Sequence, residues 1–282
     1  MVARQEEKVV RMAHIVQVGA GSGGMVVLDL VAREPQVKRI TLIEPDVYKP
    51  HNAIRHYFPQ EAAGLRKSEL ARQWLAAHRP DLEVQCLEVD LLDMSAQPKI
   101  EAAVASADIG VCAVDNEPAK YHWDALMRKY RKAWTLGEVL SGGIGGFVHV
   151  FRPEGPCYGC VASALKRSVE VDSAPPPDYS QPGGPVYEVT VPASKASISV
   201  IASLHALVTL ELLQNPDYDP GFTCVLLALR KVPQVFDEVL RPYRFRIERM
   251  RECLFCGEAA HRGAAEDLDE ALAQALDRLA HA

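Results

Sequence analysis

Gly19, Gly21 and Gly24 form a G-x-G-x-x-G pattern at the end of an apolar run, IVQVGAGSGG (residues 15–24). In that spacing the first glycine permits a tight turn and the second lets backbone approach a phosphate. The helix that follows presents its N–H groups and the positive end of its dipole to the anion. Glu44 lies twenty residues beyond Gly24, at the end of the next apolar run, where a carboxylate can accept hydrogen bonds from ribose hydroxyls. This much also fits a glycine-rich turn in some other α/β protein, or a nicotinamide dinucleotide site. Asn52, Arg55 and Lys67, just downstream, suit an anionic triphosphate better than the flat apolar slot that a nicotinamide ring needs. Asp115, which closes VCAVD, adds a carboxylate on the same edge, and a carboxylate among phosphate-binding cations is best explained by Mg²⁺. Each residue alone reads as a solvated surface charge; their joint occurrence favours ATP.

A second set is made of thiols. Cys157 and Cys160 (CYGC) and Cys253 and Cys256 (CLFC) are two C-x₂-C pairs beside glycine-containing turns. Four thiolates make a closed tetrahedral Zn²⁺ site with no position left for water, which is structural rather than catalytic. With 93 residues from Cys160 to Cys253, the metal would staple distant parts of the fold. A redox dithiol is the competing reading, but neither pair opens a helix after a strand in a thioredoxin-like pattern. Cys86, Cys112 and Cys224 lie in apolar strands and read as core residues.

The elements that must position these groups follow from periodicity. His14 to Val18 is a strand, Met25 to Val31 a helix and Val37 to Ile43 a second strand. Gln60 to Ala77 reads as a helix carrying Lys67, with Leu65, Leu70, Trp74 and Leu75 near helical spacing. Val84 to Val89 and Ile109 to Val114 read as strands, and Ile100 to Ala105 as a helix between them. The alternation predicts a Rossmann-like, doubly wound α/β fold with a mainly parallel sheet. After Lys132, glycine and alternating apolar residues predict antiparallel strands near the sheet edge. The segment 174–185, APPPDYSQPGGP, excludes regular structure and falls within a proline-rich crossover loop over about residues 161–195. Ser197 to Leu213 reads as an apolar helix and Thr223 to Leu229 as a strand. The expected organisation is one domain over residues 1–257 followed by a C-terminal segment, 258–282, whose Glu266 to Ala280 is an acidic amphipathic helix.

Composition narrows the class. The 282 residues are 48% hydrophobic, enough for a substantial core, and 31 basic against 37 acidic residues give a net charge of −6, unlike a general nucleic-acid binder. The N-terminus has no apolar signal core, and no window approaches eighteen uninterrupted apolar residues, so a cytoplasmic protein without a membrane partner is expected.

Taken in order, VGAGSGG, IEPDVYKPHNAIRHYF, AAGLRKSELA, CAVDN and FRPEGPCYGC with the distant CLFC resemble the ThiF/MoeB/HesA family of ubiquitin-activating-type (E1-like) adenylyltransferases, over about residues 14–257. The resemblance implies that Glu44 holds ribose, with Asp46 as the second acidic position of that loop. It implies that Asn52, Arg55 and Lys67 meet the phosphates, that Asp115 binds Mg²⁺ beside Asn116, and that the four knuckle cysteines bind zinc. The implied reaction is attack by the C-terminal carboxylate of a small ubiquitin-like or sulfur-carrier protein, usually ending in Gly-Gly, on the α-phosphate of ATP. Pyrophosphate leaves, with Arg55, Lys67 and Asp115 as the catalytic set. A homodimer is also implied.

Three departures stand out. His56 follows Arg55 where many relatives carry glutamine. Residues 161–200 contain no cysteine, so the thioester cysteine of the crossover is missing and the chain is expected to stop at the adenylate unless Cys224 or a knuckle thiol serves. The N-terminus is too short for the family's upstream arginine finger, which leaves Arg4 as its candidate. Two other readings compete: an NAD-dependent oxidoreductase, which gives Asn52, Arg55, Lys67 and Asp115 no joint task, and a non-catalytic scaffold for a ubiquitin-like protein.

Overall fold

The computed structural model describes residues 12–165 and 192–257. Arg4, most of the proline-rich crossover and the expected acidic helix lie outside the described residues.

The chain opens with β1 (Ala13–Val18), buried along its whole length, and turns through the glycine loop into α1 (Gly24–Ala32) and β2 (Val37–Ile43). Next come α2 (Lys67–His78), β3 (Glu83–Leu87), α3 (Gln97–Ser106), β4 (Ile109–Cys112), α4 (Glu117–Lys129) and β5 (Ala133–Val139). β6 (Gly145–Phe151), α5 (Tyr158–Ala164), α6 (Lys195–Gln214), β7 (Cys224–Ala228) and β8 (Pro242–Phe245) complete it. One sheet runs β3-β2-β1-β4-β5-β6-β7-β8, parallel from β3 to β5 and antiparallel from β5 onward.

Side chains alternate across β1 and so feed two cores. Ile15 joins Met25, Leu28, Leu70, Leu75, Ile201 and Leu212 on the face covered by α1, α2 and α6. Val16 and Val18 join Ile100, Val104, Trp123, Met127 and Val161 on the face covered by α3, α4 and α5. The α/β, doubly wound and mainly parallel expectation therefore holds. From β1 the chain winds to β2 on one side, and from β4 to β5 on the other. Their adjacent C-terminal ends, where Val18 pairs with Cys112, mark the switch point at which loops diverge and leave a crevice.

Three expectations need correction. The helix from Gln60 to Ala77 is interrupted: Gln60–Ala62 is a 3₁₀ turn, Gly64 takes φ +92°, and α2 begins only at Lys67. A left-handed residue cannot continue a helix, so apolar spacing across it misleads. The antiparallel strands expected near the sheet edge are found as β6, β7 and β8, but AWTLGEV, the first strand of that stretch, is mixed, since β5 pairs in parallel with β4 as well as antiparallel with β6. The strand from Ile109 ends at Cys112, so Ala113 to Asp115 form the turn toward α4.

That helix, together with α5 and β8, was not anticipated. Asn116 caps α4, its Oδ1 accepting the Ala119 N–H at 3.0 Å, and Ala119, Trp123, Leu126 and Met127 bury one face. By length and composition α6 could cross a membrane, yet it packs on α1, β5 and β6 as a core helix. A buried polar chain ties it to the sheet: His205 Nε2 meets Thr135 Oγ1 at 2.9 Å, which meets Thr209 Oγ1 at 2.7 Å. Burial pushes the His205 imidazole down to about 4, so it holds this position uncharged.

Candidate active site

The crevice at the C-terminal ends of β1, β2, β4 and β5 is a cleft of about 620 Å³. Its floor is the glycine loop. Gly19 has φ +91°, and a Cβ there would meet the Ala113 carbonyl oxygen at 2.5 Å; a Cβ on Gly24 would meet the Gly19 carbonyl oxygen at 2.5 Å. Both glycines are thus demanded by the protein's own packing. Gly21 is different, since a Cβ there meets nothing within 4 Å and Gly21 itself lines the cleft. Space kept clear beside a helix N-terminus fits a phosphate group.

Glu44 is only 4% exposed and ties two loops together. Its Oε2 accepts the Ala20 N–H at 2.6 Å and its Oε1 the Asp46 N–H at 2.9 Å. Burial raises its pKa, against the pull of Lys67 and these two N–H donors. Lys67, the first residue of α2, forms a 2.6 Å ion pair with Asp46 Oδ2, so the late start of this helix is what delivers its ammonium to the cleft.

Gly19, Gly21, Gly24, Glu44, Asp46, Arg55, Lys67, Asp115 and Asn116 all line this one cleft. Asn52 does not; its Oδ1 instead accepts the Lys49 N–H at 2.9 Å, closing the short turn Pro50–Asn52. His56 also stays off the cleft wall, packed edge-on to Tyr48 with 5.1 Å between ring centroids.

Sequence reasoning missed Lys120 and Glu138, which line the same cleft. Lys120 Nζ donates to Glu117 Oε1 at 2.6 Å and to Glu138 Oε1 at 2.7 Å, while Glu138 Oε2 meets His149 Nε2 at 2.8 Å. The Tyr158 hydroxyl donates to Glu117 at 2.8 Å. Burial works against the Lys120 charge, but Glu138, Tyr158 and Glu117 outweigh it and raise its pKa. Lys120 was within reach of sequence reading, one turn after the Asn116 cap. Glu138 was not, because its partner stands on another element.

The four knuckle cysteines meet away from the cleft, all buried. Contrary to expectation, the first pair does open a helix after a strand, with Cys157 capping α5 beyond β6; its Sγ lies 3.7 Å from that of Cys160 and 3.4 Å from that of Cys253, and Cys160 and Cys256 are 3.5 Å apart. Separations between the pairs match the one within a pair, so this is one four-sulfur site rather than two independent dithiols. Tetrahedral thiolates at the usual zinc–sulfur distance would stand about 3.8 Å apart, and all four sulfurs here lie within 4.8 Å of one another, which is compatible with zinc. Cys112 is fully buried and its thiol is pushed up to about 12, while Cys224 is buried in β7; neither lines the cleft.

Among known proteins, the chain is 24% identical over 165 residues to the ubiquitin-like modifier-activating enzyme 5 of Culex quinquefasciatus, covering 55% of this chain and 41% of that protein. The enzyme of the same name from Arabidopsis thaliana is 21% identical over 172 residues, covering 56% and 40%. The match thus spans about two-fifths of the length of these curated relatives. The fold is that of E. coli MccB. Its crystal structure with ATP superposes with a TM-score of 0.64 at 16% identity, over 88% of this chain and 68% of that one. MccB with AMPCPP and MccA gives 0.64 at 17% identity, over 87% and 66%. The ThiF family model matches residues 2–234, nearly the whole described molecule. The chain belongs to the ThiF family.

Proposed function

We propose that the protein is an ATP-dependent adenylyltransferase acting on the C-terminal carboxylate of a small ubiquitin-like protein, a sulfur carrier or a peptide. One observation carries this reading: the open side of Gly21 faces a cleft that Arg55, Lys67 and Asp115 also line. Cations and carboxylates around the open side of Gly21 suit a triphosphate, whereas a nicotinamide dinucleotide would give Arg55, Lys67 and Asp115 no joint task. MccB, which shares the fold, has been solved with ATP and with AMPCPP and MccA, and this supports the same substrate type here.

In the proposed reaction a carboxylate oxygen attacks the α-phosphorus of ATP, the bond to the bridging oxygen breaks, and pyrophosphate leaves with the bonding electrons. The nucleophile is already ionised, so no general base is required. The work of the chain is to align the two reactants and neutralise charge growing on the leaving group. Arg55 and Lys67 supply that neutralisation, Glu44 and Asp46 hold the ribose side, and Asn52 would join the phosphates only by leaving its present turn. Asp115, with Asn116 beside it, would hold Mg²⁺, which neutralises phosphate charge when bound. Cys157, Cys160, Cys253 and Cys256 would hold Zn²⁺ as a structural staple.

With no cysteine in residues 161–200, and with Cys112 and Cys224 inside strands, the adenylate would pass to a thiol or amine on another protein. A homodimer, as the family resemblance implies, completes the reading, and light scattering tests it.

The deciding experiment is calorimetric binding of Mg·ATP and of NAD to the full chain and to Arg55→Ala. Tight Mg·ATP binding that weakens about tenfold or more in the variant, without NAD binding, supports the reading. NAD binding that ignores Arg55 overturns it in favour of an oxidoreductase. Asp115→Ala is expected to abolish pyrophosphate exchange while the thermal midpoint holds. Unchanged exchange removes the metal role from Asp115.

A further inference from the structure

A third lysine stands at the glycine loop, and neither the sequence motifs nor the family resemblance gives it a task. Lys195 opens α6, and its Nζ lies 3.5 Å from the carbonyl oxygen of Ser22, inside the loop. The same ammonium sits 4.5 Å from the centroid of the Tyr57 ring. That ring is held in place, its hydroxyl reaching Asp29 at 3.4 Å and its edge packing on Trp74, whose Nε1 donates to Asp29 at 2.9 Å. Pro192 and Ala193, which lead into α6, form part of the cleft wall, while Lys195 itself is not among the cleft-lining residues and meets the glycine loop at Ser22.

The electrostatics of Lys195 differ from those of its neighbours. Lys67 is paired with Asp46, and Lys120 with Glu117 and Glu138. No carboxylate of the described residues forms an ion pair with Lys195, which is half-buried and has its pKa lowered by that burial. Among the described residues, the ammonium meets a carbonyl and a π face, which compensate its desolvation less well than a carboxylate would.

The positive field of Lys195 reaches beyond its own contacts. His56 is pushed down to about 3 by burial first, and then by Lys67, Lys195 and Arg55 together. His56 is only 8% exposed, and neither ring nitrogen has a hydrogen-bond partner among the described residues. Three cations from separate parts of the chain, Arg55, Lys67 and Lys195, therefore all act on one neutral imidazole. Such convergence costs free energy in the empty protein and is offset when a polyanion arrives.

We propose that Lys195 binds the outer phosphates of the nucleoside triphosphate, supplied within the same chain from the start of α6 as a third cation beside Arg55 and Lys67. This rests on the adenylyltransferase reading and extends it. The charge that grows on departing pyrophosphate is then met from the glycine-loop side by a group of this chain.

The test compares Mg·ATP with AMP, because only the former carries outer phosphates. Both are titrated calorimetrically into the full chain, Lys195→Met and Lys195→Arg. The expected result is about tenfold or greater weakening of Mg·ATP in Lys195→Met with AMP within about twofold, and recovery to within about threefold in Lys195→Arg. Retained AMP affinity shows at the same time that the variant is folded. Equal losses for both nucleotides, or no loss for either, overturn the role of Lys195 while leaving the adenylyltransferase reading intact. A wild-type chain that binds AMP but not Mg·ATP overturns both.

Discussion

Lys67 Nζ lies 2.6 Å from Asp46 Oδ2, with the lysine side chain 12% exposed and the aspartate 62%. The Lys67 backbone N–H also donates to the Asp46 carbonyl at 3.0 Å, so the first turn of α2 is pinned to the loop after β2. A cation held this way is aimed before any phosphate arrives, which lowers the ordering cost of binding.

The exposed half of that pair lets function be separated from stability. Asp46→Ala is expected to weaken Mg·ATP binding about tenfold while changing unfolding free energy by less than about 1 kcal/mol, because solvent screens the aspartate. Paired calorimetry and urea melts read both quantities. A large stability loss with unchanged nucleotide affinity would make the pair architectural.

Gly19 and Gly21 share a motif but answer to different demands. Gly19→Ala forces a positive-φ backbone and drives a Cβ toward the Ala113 carbonyl, so it is expected to destabilise the fold by about 2 kcal/mol or more. Gly21→Ala meets no protein atom, so its melting curve should overlay that of the wild type while Mg·ATP affinity falls. If Gly21→Ala binds Mg·ATP as the wild type does, the phosphate does not lie against this residue.

The parts of the site that were legible in the sequence are those where one short segment carries its own constraint. The glycine loop, the β2 end with Glu44 and the C-x₂-C pairs announce themselves by spacing, and the structure brings the first two to one cleft and the cysteines to one cluster. The interruption at Gly64 was hidden, because apolar spacing runs through Leu65 and Leu70 as though a helix were continuous, and only a positive φ breaks it. Glu138 and Lys195 were invisible for another reason: their partners, Lys120 and Ser22, lie 18 and 173 residues away, and no local pattern encodes such a meeting. Asn52 shows the converse, a residue that a motif marks but whose side chain the local turn has already engaged.

The cysteine cluster joins the start of α5 to the loop beyond β8, its four buried side chains forming a small core of their own. Purified protein is expected to contain about one zinc per chain, and chelation under denaturant-free conditions to lower the thermal midpoint by at least about 5 °C. Mg·ATP affinity measured well below that midpoint should stay the same, since no knuckle cysteine lines the cleft. Protein purified without chelators that holds no zinc and melts identically after metal addition would remove the staple.

His56 sets a pH dependence whose sign is fixed by its surroundings. In the unfolded chain the imidazole takes up a proton near 6.5, whereas in the fold burial, Lys67, Lys195 and Arg55 hold it down to about 3. Between these values the unfolded state binds more protons, so the contribution of His56 to stability is complete above about 6.5 and is lost progressively as pH falls toward about 3. His205, at about 4, acts in the same direction. Asp124 opposes them: raised to about 6 by burial, it takes its proton first in the folded state, which favours folding on acidification. Comparing wild type with His56→Phe cancels the other two groups and keeps a ring to pack on Tyr48. The stability difference should shift in favour of His56→Phe as pH is lowered from about 7 to about 4.5, read from thermal or urea melts at each pH. Parallel curves over that range would show that His56 is protonated as easily in the fold as in the unfolded chain, and that the three cations do not act on it.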